Sequence, residues 1–442
     1  MYIFRKKNLD NDILNIFLGL VPISYIFGNL LLNLNILIIF LIALKTYKFD
    51  LFIMKKNTFN FLLIFFFFYL ILTTFFNNYQ YFDKNELYFE NFLKSILFLR
   101  YLLLFLVINK MAEDNNLDLK YIFLLSGITL IFLIFDIFFQ SIFGFDIFGN
   151  VPSQKRLSGF FGDELIAGGY IQIFSFFLIF LIPTVIFFNI KKYFKILFIF
   201  STIFVFLGIL LTNNRMPLLL FLLTLGIFLM TEKKLRKYIV VLLIALPLIF
   251  FSIFKINPKV FNKYDSFLNN INVIAVDSYS VFTGKIETFV YKKEGYLRSD
   301  HLRLFYTALN LSKENIIFGS GLKSFRLNCK IKDNYNYSCS NHPHNYFIEL
   351  LLDTGLIGLI TIISLFLLAI VKWLKIYLKK KEDLLSRVSF SPPFLTLCSI
   401  AFPIKSSGSF FTTNVAIITF MMLAFVINAD NLKVTKFFLN KK

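Results

Sequence analysis

The sequence predicts an all-α polytopic membrane protein: about twelve transmembrane helices, with a large, partly helical loop between the ninth and tenth. Three observations lead there. Of its 442 residues 57% are hydrophobic and 16% charged, and the mean hydropathy is +0.72; a soluble chain of this size carries far more charge. Apolar runs of the ~20 residues that cross a bilayer recur along nearly the whole length. Basic clusters fall in alternate connections, the arrangement that the positive-inside rule gives to cytoplasmic loops.

Taken in order, spans are expected near 12–28, 30–46, 58–78, 93–110, 120–142, 164–189, 193–213, 215–231, 238–256, 345–371, 389–406 and 411–429. The first run has no small-residue cleavage site behind it, so it reads as a span and not as a cleaved leader. The 63 phenylalanines fit an AT-biased coding sequence, and Phe enters a bilayer about as well as Leu. "FRKK", "KTYKFDLFIMKKN", "NIKKYFK", "TEKKLRK", "KWLKIYLKKKEDLLSR" and "KVTKFFLNKK" supply the basic connections. They absorb the net charge of +20, so no nucleic-acid partner is expected. Both termini then lie in the cytoplasm, which an even number of spans requires.

Two connections exceed a minimal turn, and both fall on the non-cytoplasmic side. One is 143–163; the other, far larger, is 257–343. The chain divides accordingly into nine spans over 1–256, the large loop over 257–343, and three spans with a cytoplasmic tail over 344–442. Loops of such length are functional or disordered. The apolar periodicity of "LRLFYTALNLSKENIIFG" predicts an ordered, partly helical cap, against the alternative of a passive loop.

The three histidines, His301, His342 and His344, all lie in this loop or at its end. Histidine exchanges a proton near neutral pH more readily than any other side chain, although "HPH" also suits a polar interfacial turn. If a regular helix ran on from His344, Gly355 and Gly358 would lie about 20° and −40° from it, roughly 16 and 21 Å along the axis. Small residues on one stripe admit a close neighbour or leave a groove. Asp353 is too deep to stay unpaired and is expected to have a polar partner in a structural role.

Arginines form the second element. Arg215 stands in a very short outward turn, Arg298 and Arg303 in the large loop, and Lys155 with Arg156 in the earlier one. Arginine stays charged and grips phosphate oxygens in bidentate fashion. Each alone suits snorkelling or an ion pair, but the set points to an anionic ligand at the interface. Gly319 and Gly321, in "FGSGLKSF", would form a tight turn able to bring backbone N–H groups to that anion. Cys329 and Cys339 are ten residues apart; a disulfide between them and two free thiols are both open. No Cys-x-x-Cys, P-loop, dinucleotide fingerprint or serine elbow is present, and neither metal nor cofactor is expected.

His344 and Asn345, then nine residues, then Gly355-x-x-Gly358 resemble the motif of the O-antigen ligase superfamily. The likeness extends to the arginine-bearing stretch before Gly319, to "LLTNNRMPLL" and to "RLSGFFGDELIAGGY". These are bacterial inner-membrane proteins that include lipopolysaccharide O-antigen ligases, polysaccharide polymerases and protein O-oligosaccharyltransferases. The resemblance implies an active site facing the periplasm. It implies a donor glycan on undecaprenyl pyrophosphate and an acceptor hydroxyl, on lipid A-core in a ligase. His344 would be the general base; Arg215 and Arg303 would hold the pyrophosphate without a metal, with Asn345, Arg156 and His342 among the substrate-binding groups. A repeat-unit polymerase of the same superfamily is the alternative. A lipid-linked glycan flippase, the competitor of another class, would need charges along the spans, whereas Lys and Arg here avoid the span centres, Arg100 excepted.

Overall fold

The computed structural model describes residues 2–83, 86–152, 156–186, 194–232, 235–256, 300–329, 338–379, 384–405 and 408–435, with Tyr279 and Thr283 singly between. Among them the chain is almost wholly helical, with no strand and one isolated bridge, Asp118 to Lys433. Apart from Tyr279 and Thr283, the segment 264–297 lies outside the described residues, as do Lys155 and Arg298.

The helices are α1 (Tyr2–Gly19), α2 (Val21–Ile26), α3 (Asn29–Tyr47), α4 (Thr58–Asn78), α5 (Glu86–Leu97), α6 (Leu99–Glu113), α7 (Lys120–Phe143) and α8 (Ala167–Ile179). Then come α9 (Phe194–Leu211), α10 (Arg215–Thr231), α11 (Lys237–Ile256), α12 (Asp300–Ser312), α13 (Phe325–Asn328), α14 (Tyr346–Lys379), α15 (Leu384–Ile400) and α16 (Thr413–Ile427). Among the described residues seven segments are long and apolar enough to cross a bilayer: Leu9–Ile26, Asn29–Phe52, Thr58–Tyr81, Glu86–Glu113, Lys120–Phe143, Ala167–Val185 and Tyr346–Lys379. Ile196–Leu211, Arg215–Thr231 and Thr413–Ile427 are shorter apolar helices. The protein is thus a multi-pass membrane protein.

Local chemistry explains the boundaries. The Asn57 side chain accepts from Asn60 N at 2.8 Å and starts α4, as an N-cap does. Gly144, at φ +84°, ends α7. Pro22 stands at the head of α2, where its missing N–H costs nothing. Around α4, Leu63, Phe66, Phe67 and Leu70 are buried, while Phe61, Phe68 and Phe76 are exposed. A helix apolar on every side needs an apolar medium outside. Inside, α7 packs on α8 and α1, α8 on α9, α6 on α16, and α4 on α14; the Trp373 and Phe394 rings stack at 3.7 Å.

Three expected spans differ in detail. The span near 93–110 belongs to two helices, α5 and α6, which meet at Phe98. The one near 389–406 ends at Ile400, because residues after it leave the helix to fold onto α14. The one near 345–371 is kinked at Gly355, at φ +63° and ψ −170°. That kink builds the site.

Candidate active site

The kink frees four backbone groups of α14, and the turn after α12 takes all four. Leu356 N donates to Ile316 O at 2.8 Å and Ile357 N to Ile317 O at 3.3 Å; Ser320 N and Gly321 N donate to Leu352 O and Asp353 O, each at 2.9 Å. A Cβ on Gly355 would stand 2.2 Å from Ile317 O, so only glycine fits. The end of α4 closes the junction, with Leu322 N donating to Thr74 Oγ1 at 3.0 Å and Asn77 Nδ2 to Gly319 O at 3.1 Å.

This arrangement corrects two expectations. His344 lies outside α14, at φ +59°, and α14 is broken at Gly355, so the histidine and the two glycines do not share one helical stripe. What approaches Gly355 closely is the 316–319 backbone, and Gly358 leaves room for the Thr354 side chain. Nor do the Gly319 and Gly321 amides serve an anion. Gly319 N goes to Asn315 O at 2.8 Å and Gly321 N to Asp353 O, so the turn is a clasp.

Asp353, fully buried, accepts from Lys323 N at 2.7 Å, Ser324 N at 3.1 Å and Ser324 Oγ at 2.7 Å. It thereby caps α13. Leu304 and Ala308 of α12, Phe325 of α13 and Leu352 of α14 form a small apolar cluster. A disulfide joins Cys329 to Cys339, with Cα atoms 5.7 Å apart, and Ser338 N donates to Thr307 Oγ1 at 3.0 Å. These contacts hold the head of α12 beside residues 338–345.

The histidines meet there. The His344 ring lies 4.2 Å from that of His342 and 5.6 Å from that of His301, between centroids. Left-handed backbone is uncommon for a residue with a Cβ, and it persists where the surroundings dictate it. At His344 they do: Asn345 Oδ1 accepts from Phe347 N at 3.0 Å and Ile348 N at 3.2 Å, while its Nδ2 donates to Pro403 O at 2.9 Å and Lys405 O at 3.1 Å. Both ends of the Asn345 amide are engaged, so it positions its neighbour and is not open to substrate. Burial, then the charge of His344, pulls the His342 imidazole down to about 4. The same two causes lower that of His301.

Two further groups, not anticipated from the sequence, complete the surroundings. Glu349 of α14 accepts from Ser409 Oγ and Phe410 N, both at 2.6 Å. Lys405 lies buried, its Nζ 4.3 Å from the Tyr346 ring centroid and donating to Ser399 O at 3.0 Å; burial pushes its ammonium down to about 7. Both depend on residues 401–405 and 408–412, most of which the sequence assigns to the ends of two spans.

The arginines fall in two places. Arg303 lies two residues beyond His301 on α12 and pairs with Asp300. Arg215 heads α10, beside α8: the preceding Asn214 donates to Leu165 O at 3.3 Å, and Gly168 abuts Thr212 and Asn214. Half-buried Arg156 precedes the Ser158–Gly159 turn, which is fastened to α7 by Gln140 Oε1 at 3.1 and 3.0 Å. The structure brings together His301, His342, His344 and Asn345, with Arg303 on the same helix as His301. Arg215 and Arg156 belong to the α7–α8–α10 side.

No curated protein matches the chain. Residues 198–363, from α9 to beyond the kink of α14, match the family model described as O-antigen ligase. That stretch holds Arg215, Arg303, the crossed glycines and His344, and over it the chain is similar to the O-antigen ligase family.

Proposed function

We propose that the protein transfers a glycan from undecaprenyl pyrophosphate to an acceptor hydroxyl, with lipid A-core as acceptor, at the periplasmic face of a bacterial inner membrane. In this reading the chain has twelve spans and both termini are cytoplasmic. The observation that carries it is His344: an imidazole held in left-handed backbone between two other imidazole contacts, at the mouth of an apolar helix.

His344 takes the proton of the acceptor hydroxyl as its oxygen attacks the anomeric carbon. The bond from that carbon to the diphosphate oxygen breaks, and the diphosphate leaves with the electron pair. Arg303 and Arg215 hold the diphosphate and oppose its growing charge. A diphosphate is already a good leaving group, so positioning, a base and preorganised positive charge suffice. His301 and His342, whose proton affinity burial lowers, flank that base.

Deletion of the gene followed by electrophoresis of lipopolysaccharide tests this. Loss of every capped band is expected of a ligase, whereas a single-repeat band would assign the polymerase reaction instead. Unchanged glycans would sink both. His344→Ala should lower transfer by ~10²–10⁴-fold with the protein still present in membranes; full transfer would remove His344 from its role.

A further inference from the structure

A second group of cations gathers around the residues that follow the 316–321 clasp. Lys323 follows Gly321 in left-handed backbone, at φ +57°, and its amide is fixed to Asp353 at 2.7 Å. Its side chain is half-buried and makes no hydrogen bond or ion pair among the described residues. Three residues on, Arg326 reaches Glu90 Oε2 at 3.3 Å and Asn91 Oδ1. Glu90 also pairs with Lys94. One carboxylate thus serves two cations, and the nearest acids to Lys323 are spent elsewhere, Asp353 on the α13 cap and Glu349 on Ser409 and Phe410. The charges of Lys94 and Arg326 act on Lys323, and that of Lys323 acts on His342. Like charges gathered with so little neutralisation are stable beside an anion.

We propose that Lys323, backed by Arg326 and Lys94, is a phosphate-binding position of this site, taking a phosphate carried by one of its two lipid substrates. This rests on the glycan-transfer reading above and adds a cation that neither Arg215 nor Arg303 supplies. Lysine suits the task as a compact point charge on a flexible stem.

Binding to the full chain in phospholipid nanodiscs tests it without turnover. The probes are undecaprenyl diphosphate and bisphosphorylated lipid A, each paired with its phosphate-free counterpart. Lys323→Gln should weaken one phosphate-bearing probe about tenfold or more, leave the phosphate-free ones unchanged, and be rescued by Lys323→Arg. Lys313→Gln, the same change at an exposed position, should alter nothing. The probe that responds identifies the donor diphosphate or the acceptor phosphate. Unchanged affinity for both, or equal loss with the phosphate-free lipids, overturns the proposal. Unchanged glycans after deletion of the gene would sink the proposed function and leave this binding result standing.

Discussion

Gly319 and Gly355 cross main chain to main chain: a Cβ built on Gly319 would stand 2.4 Å from the Gly355 nitrogen. Both have positive φ, +81° and +63°. Alanine at either position meets the left-handed penalty of about 1–2 kcal/mol and an overpacking cost of about 1–3 kcal/mol. Each substitution is therefore expected to lower stability by about 2–5 kcal/mol in thermal unfolding in detergent. Gly226→Ala, where nothing lies within 4 Å of the new methyl, should match or slightly exceed the wild type.

Acid should loosen the same junction. His342 is held at about 4 against an ordinary 6.5, so the folded protein binds fewer protons there than the unfolded chain. Stability from this group is present above about 6.5 and is lost as pH falls toward about 4. Scans of Tm from pH 8 to 4 should show that decline, and His342→Gln should make it shallower. An identical slope in the variant would refute the assignment.

The Cys329–Cys339 disulfide closes a ten-residue separation, for which loop-closure entropy gives ~2–3 kcal/mol. The double variant Cys329→Ser/Cys339→Ser should lose about that much. A reducing agent should lower the Tm of the wild type and leave the double variant unmoved.

At the far end of the helices, Arg387 Nε and Nη2 grip Glu232 at 2.7 and 2.8 Å, both residues buried, and Tyr377 OH adds a bond to Glu232 at 3.0 Å. Arg387→Ala would strand a buried carboxylate at a cost of about 3–5 kcal/mol. The double change Glu232→Leu/Arg387→Met should recover most of it, as unfolding midpoints would show.

Much of this was legible beforehand because the signals were local. Apolar runs of bilayer length announce spans, and the spacing from His344 to Gly355 and Gly358 lies within one stretch of sequence. The break in α14 was not legible. A single glycine in an apolar run reads as a tolerated helical residue, and its reason is a backbone strand more than thirty positions upstream that takes its freed hydrogen-bonding groups. Lys405, at the end of an expected span, carries no sequence signal that Asn345 and Tyr346 lie against it. Glu232 and Arg387, 155 residues apart, show nothing of their pairing one at a time. Long-range complementarity is a property of the folded packing, and a single chain read in order does not carry it.

The stitch from Asn345 to Pro403 and Lys405, and from Glu349 to Ser409 and Phe410, sets a minimum size for any working fragment. A piece trimmed to the 198–363 match would leave the Asn345 amide and the Glu349 carboxylate without these partners. Shortening from the C-terminus should therefore abolish transfer before it disturbs the helices that bear the arginines.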